Sequence, residues 1–217
     1  MRKKPFSCIV VILVCHAAFG QVNLLDEGTR GLRSFTKNYF RSDPLYGSFS
    51  GFLTHLINDP DIDNKIIRKK TDTSFYHFSG VYKKNNPFGF IPKQIKILLE
   101  ETSIDYDDSL HTTDTIFVYQ MIAYVNDDNK SVREIKKEFD KIHRQYNRRF
   151  YETKYLDQKK EDEITMAAYH FFVITNWIAP LTVAWGKLES SHEVVLNITL
   201  RIKMSANKAV LPAPIFN

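Results

Sequence analysis

The sequence predicts an α+β fold: a mostly antiparallel sheet of about five or six strands, with a short N-terminal helix and one long amphipathic helix (131–150) packed on it. Three stretches lead to this expectation. Apolar residues recur at helical spacing through 131–150, residues 193–204 alternate apolar with polar, and 115–125 is apolar almost throughout. Such a mixture is satisfied by a helix laid across a sheet. An outer-membrane barrel needs many alternating strands and no long charged helix.

The chain opens with Arg2, Lys3 and Lys4, an apolar run from Phe6 to Val14, and a tail of mostly small residues, 16–20. This is the layout of a secretory signal peptide. Ala18 and Gly20 place small side chains at the third and first positions before Gln21, so cleavage is expected between Gly20 and Gln21. A retained anchor needs about 20 apolar residues, and His16 interrupts this run. Lipidation of Cys15 needs a small residue before it, where Val14 stands. Membrane attachment is expected only under one of those two outcomes.

Residues 1–20 carry three of the 30 basic residues and none of the 25 acidic ones, so their removal lowers the formal net charge from +5 to +2. The basic balance is therefore partly a property of the leader and does not point to nucleic acid. Both cysteines, Cys8 and Cys15, leave with it. An exported domain without a disulfide relies on its core alone, which suits a bacterial periplasm or envelope better than eukaryotic secretion. The sequons at Asn129 and Asn197 would matter only in the latter.

No repeat, low-complexity tract or linker divides the rest. Residues 21–42 are mixed and polar with scattered aromatics (Phe35, Tyr39, Phe40), expected as a loosely packed lead-in to one domain spanning 43–217. Asp43-Pro44 has the form of a helix start. Phe49, Phe52, Leu53, Leu56 and Ile57 follow at helical spacing, and Pro60 ends the run. Strands are expected over 74–82, 94–101 and 115–125, the last buried on both faces, with turns at 85–92 and 126–129.

In 131–150, Val132, Ile135, Phe139, Ile142, Tyr146 and Phe150 fall within about 80° of helical arc. Arg133, Lys137, Lys141, Arg144 and Arg148 lie opposite. Ser131 and Glu134 have capping-box spacing, and Glu134/Lys137, Glu138/Lys141 and Asp140/Arg144 are spaced to pair along the surface. The charged stretch 152–163 is expected as a loop or helical extension. Residues 164–187 form one or two buried segments, with a helix over 161–172 left open. Residues 193–204 are a strand with one buried face.

Sites of known chemistry are scarce. Asp59, Asp61 and Asp63 occupy the first three ligand positions of a calcium loop, but Asn64 replaces its glycine and Lys70 its bidentate glutamate, so a helix stop and turn is expected. "DYDD", 105–108, is an acidic turn without a ligand framework. No histidine pair has the spacing of a zinc helix. "GSFSG", 47–51, departs from the G-x-S-x-G elbow, and neither a phosphate loop nor a dinucleotide fingerprint occurs. No cofactor is expected. His77 and His170, set among aromatics, are the weak catalytic candidates.

The remaining signal is surface. Tyr76, Tyr82, Phe88, Phe90, Trp177 and Trp185 lie in or beside strands and turns, where exposed rings stack on sugars or anchor an interface. Arg133, Lys137, Lys141, Arg144 and Arg148 form a basic crest. The expectation is an exported, non-catalytic binding or accessory protein of a bacterial envelope whose partner is another envelope protein or a glycan. The alternative is a hydrolase with a non-motif active site, in which His77 or His170 lines a pocket with a carboxylate in reach.

Overall fold

A computed structural model describes residues 28–40, 49–69, 76–83, 86–105, 113–161, 164–173, 179–205 and 208–210. The leader with its cleavage site, the Asp43-Pro44 start, Tyr106 to Asp108, Trp177 and the side chains of Tyr76 and His77 lie outside them.

The protein is α+β, with three described helices against one antiparallel sheet. Helix α1 covers 28–39, α2 Phe49–Asn58 and α3 Asn129–Tyr146, the last followed by a single 3-10 turn, Asn147–Arg149. The strands are β1 (Ile62–Lys69), β2 (Tyr76–Tyr82), β3 (Gln94–Asp105), β4 (Thr113–Asn126), β5 (Glu152–Glu161), β6 (Ile164–Phe172), β7 (Leu181–Leu188), β8 (Glu193–Ser205) and β9 (Lys208–Val210). Their order is β1-β2-β3-β4-β8-β7-β6-β5, with β9 added to β8. Every described pair is antiparallel.

The sheet is larger than the five or six strands expected. Residues 62–69 and 152–161 are strands instead of a turn and a loop or helical extension, and the buried segment 164–172, which the sequence leaves open to a helix, is a strand. The physical reason is position. β1 and β5 are the two edges, where charged side chains discourage further pairing and erase the alternation that marks a strand. Both edges also carry a register shift, between Asp63 and Ile66 and between Leu156 and Lys159. Asn64, with φ of 50°, takes the left-handed conformation at the first.

Alternation sorts each strand into two faces. Phe78, Tyr82, Ile95, Ile97, Leu99, Tyr119, Met121, Leu196, Ile198 and Leu200 belong to one buried cluster with the apolar faces of all three helices. Phe52 of α2 meets Tyr119 edge-on at 5.3 Å, and Phe40 lies over the same ring at 4.7 Å. Among the described residues no helix lies on the opposite face.

The lead-in expected over 21–42 is instead integral to the core over 28–40. Leu32, Phe35, Thr36, Tyr39 and Phe40 are buried at the helical spacing i, i+3, i+4, i+7, i+8. Phe35 stacks on Tyr39 at 4.7 Å and meets Tyr146 of α3 edge-on at 5.0 Å. The Asn38 amide donates to the Tyr146 hydroxyl at 2.6 Å, and Arg149 Nη1 donates to Ser34 Oγ at 2.9 Å.

Helix α3 begins one turn earlier than the capping box implied. The cap is Asp128, whose Oδ1 accepts from the backbone N–H groups of Lys130 and Ser131 at 2.9 Å, while the Ser131 hydroxyl donates to Oδ2. These bonds hold the Asp128 carboxyl below the usual carboxylate range. Of the three surface pairs, only Glu138/Lys141 forms among the described residues, at 3.0 Å. Glu138 is itself turned inward and only 4% exposed. Its Oε1 accepts from the Tyr39 hydroxyl at 3.1 Å and its Oε2 from the Gly89 N–H at 3.2 Å. Burial, then the Glu138 carboxylate beside it, push the Tyr39 phenol far above its ordinary value, so it remains a donor. A Cβ on Gly89 would lie 2.7 Å from Oε2, so a larger residue here would push the end of the Glu138 side chain aside.

Replacing Glu138 by Ala strands a buried phenol and a backbone N–H and is expected to cost about 2 kcal/mol of unfolding free energy. Urea denaturation should show it as a lower midpoint at unchanged slope. Glu138→Gln should cost less, and so should Gly89→Ala, which disturbs Oε2 but leaves the Tyr39 bond to Oε1.

Candidate functional site

The most distinctive surface lies along the exposed side of α3. Arg133, Lys136, Lys137, Asp140, His143 and Arg144 line an open cleft of about 540 Å³. Their spacing is one helical stripe, brought to the surface because Ile135, Glu138, Phe139, Ile142 and Tyr146 take the inward side. Among the described residues Arg133, Lys137 and Arg144 form no ion pair. Arg144 Nε reaches the Asp140 backbone carbonyl at 3.3 Å and not its carboxylate. Lys136 sits over the Trp185 ring, 4.6 Å from its centroid. With Glu138 turned inward, the cleft presents four cations against one carboxylate.

Aromatic rings adjoin these charges. His143 stacks on Tyr169 of β6 at 4.0 Å and 7°, Phe139 stacks on the same residue at 4.5 Å, and Tyr155 of β5 lies 5.1 Å away. Tyr155 is 55% exposed. Partial burial pulls the His143 imidazole down, and Asp140 opposes the shift. Burial pushes the Tyr169 phenol up, aided by Asp140 and Tyr155. The neutral imidazole and protonated phenols so favoured keep the rings uncharged at neutral pH.

The basic crest is thus only partly the expected one. Arg133, Lys137 and Arg144 line the cleft, Lys136 and His143 join them, Lys141 is held by Glu138, and Arg148 is exposed in the turn that follows. Spacing alone placed Lys136 off the crest; its partner, Trp185, comes from β7. The aromatic candidates fare differently. Tyr82, Phe88 and Phe90 are 7%, 6% and 5% exposed and fill the core instead of a binding surface. Phe88 and Phe90 are folded in by the Asn86 side chain, which accepts from the Phe88 N–H at 3.0 Å and donates to the Phe90 carbonyl. Tyr76 and His77 are placed on β2 by their backbone alone.

Asp59, Asp61 and Asp63 do not converge. Asp59 Oδ1 accepts from the Asp61 N–H at 2.9 Å, Asp63 pairs with Lys83 at 2.6 Å, and Lys65 Nζ donates to the carbonyls of Ile57 and Asp59 at 2.6 Å. The positive charge at this turn is that ammonium, which caps the end of α2. No group of three or more His, Cys, Asp or Glu able to hold a metal ion occurs among the described residues.

His170 and His77 stand five strands apart in the sheet order, or about 24 Å at the usual strand spacing. They cannot serve one reacting centre. His170 Nδ1 lies 3.3 Å from Thr182 Oγ1, which accepts from Arg201 Nη1 at 2.9 Å. No carboxylate pairs with His170 among the described residues. Burial first, and the Arg201 charge second, pull its imidazole below its ordinary value.

No protein-family model, curated protein or solved structure matches the chain. No helix of the described residues is long and apolar enough to cross a membrane.

The His170 shift has a defined consequence for stability. The unfolded chain takes up its imidazole proton near pH 6.5, whereas the folded one does so only at lower pH. Stability from this group is therefore whole above pH 6.5 and declines as pH falls below it, levelling off past the folded midpoint. NMR titration of His170 should give a midpoint below 6.5. Arg201→Gln should raise that midpoint; an unchanged one would show that the guanidinium charge does not reach the ring.

Proposed function

We propose that this chain is an exported, non-catalytic binding protein of a bacterial cell envelope, and that the α3 cleft recognises an acidic glycan. One observation carries the proposal: cations gathered in an open cleft and, apart from Lys136 over Trp185, left without acidic or aromatic partners. Such charges attract an anion, and the attraction is only partly screened at physiological salt. The flanking chemistry favours a sugar polymer. The exposed Tyr155 ring, beside the stacked pair His143 and Tyr169, suits the apolar face of a pyranose ring. Asp140 can accept from sugar hydroxyls, while Arg133 and Arg144 offer forked donors to uronate, sulfate or phosphate groups. Export is supported by the basic start, apolar run and small-residue tail of the first twenty residues.

Binding to immobilised polygalacturonate and heparin, with neutral dextran as control, tests the assignment. Retention on both acidic polymers and not on dextran is expected, with affinity falling at least tenfold between 50 and 300 mM salt. The combined variant Arg133→Ala/Lys137→Ala/Arg144→Ala should lose about tenfold or more, and Tyr155→Ala a smaller factor with unchanged salt dependence. Equal binding by the triple variant would sink the proposal. Export is checked separately by mass spectrometry of the N-terminal peptide from fractionated cells, where a peptide beginning at Gln21 in the soluble envelope fraction is expected.

A further inference from the structure

The helix-free face of the sheet carries a second, chemically different arrangement. Cross-strand register aligns Gln120, Thr199, Thr182, His170 and Lys154 in one row across five strands. Arg201 stands two residues from Thr199 along β8, on the same face. The row contains amides, hydroxyls, an imidazole and an ammonium, but no acid.

Arg201 is half-buried and its guanidinium cannot discharge by losing a proton. Holding such a charge away from water costs free energy unless an anion answers it. Its Nη1 donates to the Ala179 carbonyl at 3.2 Å and to Thr182 Oγ1 at 2.9 Å. Both acceptors are neutral, and Nη2 and Nε find no acceptor among the described residues. Thr182 Oγ1, which accepts from Arg201, also lies 3.3 Å from His170 Nδ1. In the tautomer whose Nδ1 accepts from that hydroxyl, the imidazole proton stands on Nε2, a further donor with no described acceptor. The acids nearest to Arg201 in register are Glu100, two strands away, and Glu152, three strands away. These separations are about 10 and 14 Å, and Glu152 is paired with Lys154.

On the same face, two to six residues along the strands from this row, the side chains become mainly apolar. Ile122, Tyr124, Met166, Ala184, Leu188 and Val195, with Asn197 among them, line a hollow of about 100 Å³. From Thr182 to Gly186 along β7 is about 13 Å. Small side chains in between, Ala168 and Ala184 with Gly186, keep the path shallow. A cation with spare donors at one end and an apolar hollow at the other is how a site reads an amphiphile.

We propose that the helix-free face is a binding site for an amphiphilic monocarboxylate, its acid group on Arg201 and His170 and its apolar tail along Ala184 toward Met166 and Tyr124. The site is independent of the α3 cleft, on the other side of the sheet. The carboxylate takes the guanidinium edge left open by Thr182, and the tail removes the hollow from water.

Octanoate is the probe, with acetate as acid without tail and octanol as tail without acid, followed by side-chain NMR of the full chain. Octanoate should produce saturable shifts at His170, Met166 and Tyr124 and raise the His170 midpoint, because the bound anion offsets the Arg201 charge. Acetate should bind at least tenfold more weakly, and octanol should leave the His170 midpoint unchanged. Arg201→Gln should abolish saturation by octanoate. Arg201→Lys, which keeps the charge but not the planar donor edge, should weaken it roughly tenfold and serves if the glutamine variant does not fold. No shift with octanoate, or equal shifts in wild type and either Arg201 variant, would overturn the site. Acetate as tight as octanoate would overturn the amphiphile.

Discussion

The inward turn of Glu138 is the constraint on which the arrangement of the protein depends. A carboxylate removed from water is tolerable only when its lone pairs are answered. Here they are answered from three parts of the chain: Tyr39 of α1, Gly89 of the turn before β3, and Lys141 one turn along α3. The tie sets the rotation of α3. With Glu138 inside, the stripe 133-136-137-140-143-144 must face outward and toward β6 and β7. There Lys136 finds Trp185 and His143 finds Tyr169. The same turn removes one acidic group from the basic side. The structural tie and the electrostatic character of the cleft thus have a single origin.

The topology explains why the two candidate sites are separate. The chain forms a helix and a four-stranded meander twice, α2-β1-β2-β3-β4 and then α3-β5-β6-β7-β8. The two meanders join through the β4–β8 pairing, which runs from Ile116 opposite Lys203 to Asn126 opposite Glu193. All three described helices lie on one side of this joined sheet. One face therefore closes into a core of large apolar residues, and the other keeps the small and polar side chains of its central strands. Arg201, Thr182 and His170 belong to that second face, and the α3 cleft to the outside of the first.

Residues 131–150 and 193–204 were readable as a helix and a strand because each sets apolar side chains on one face and polar ones on the other, which stamps a period on the sequence; the helix itself runs Asn129–Tyr146. Strand β3 was readable in part for the same reason, β2 by its aromatics and β4 by an apolar run that implied burial on both faces; over 118–125 only one face of β4 is buried, Val118, Gln120, Ile122 and Tyr124 being half-buried. Helix α1 was missed although Leu32, Phe35, Thr36, Tyr39 and Phe40 carry a helical period, since Thr36 and the surrounding charges dilute it. β5 was missed because an edge strand has no second neighbour to demand apolar side chains. In the site, Arg133, Lys137 and Arg144 were visible as one face of a helix. Lys136 and the rings of Tyr169, Tyr155 and Trp185 were not, because their meeting joins segments far apart in the chain.

What the sequence by itself determined is the local layer: the class of fold, the long helix with its two faces, the alternating strands, and the lack of any metal or nucleotide motif. These follow from side-chain period and spacing, which are properties of neighbouring residues. Only the tertiary structure decided that Tyr82, Phe88 and Phe90 are core, that Glu138 is buried, and that Arg201 and His170 share a hydroxyl. Each of these depends on what stands opposite a side chain across the sheet or the core. Burial and partnership there are set by register and helix rotation between residues tens of positions apart, which no local pattern encodes.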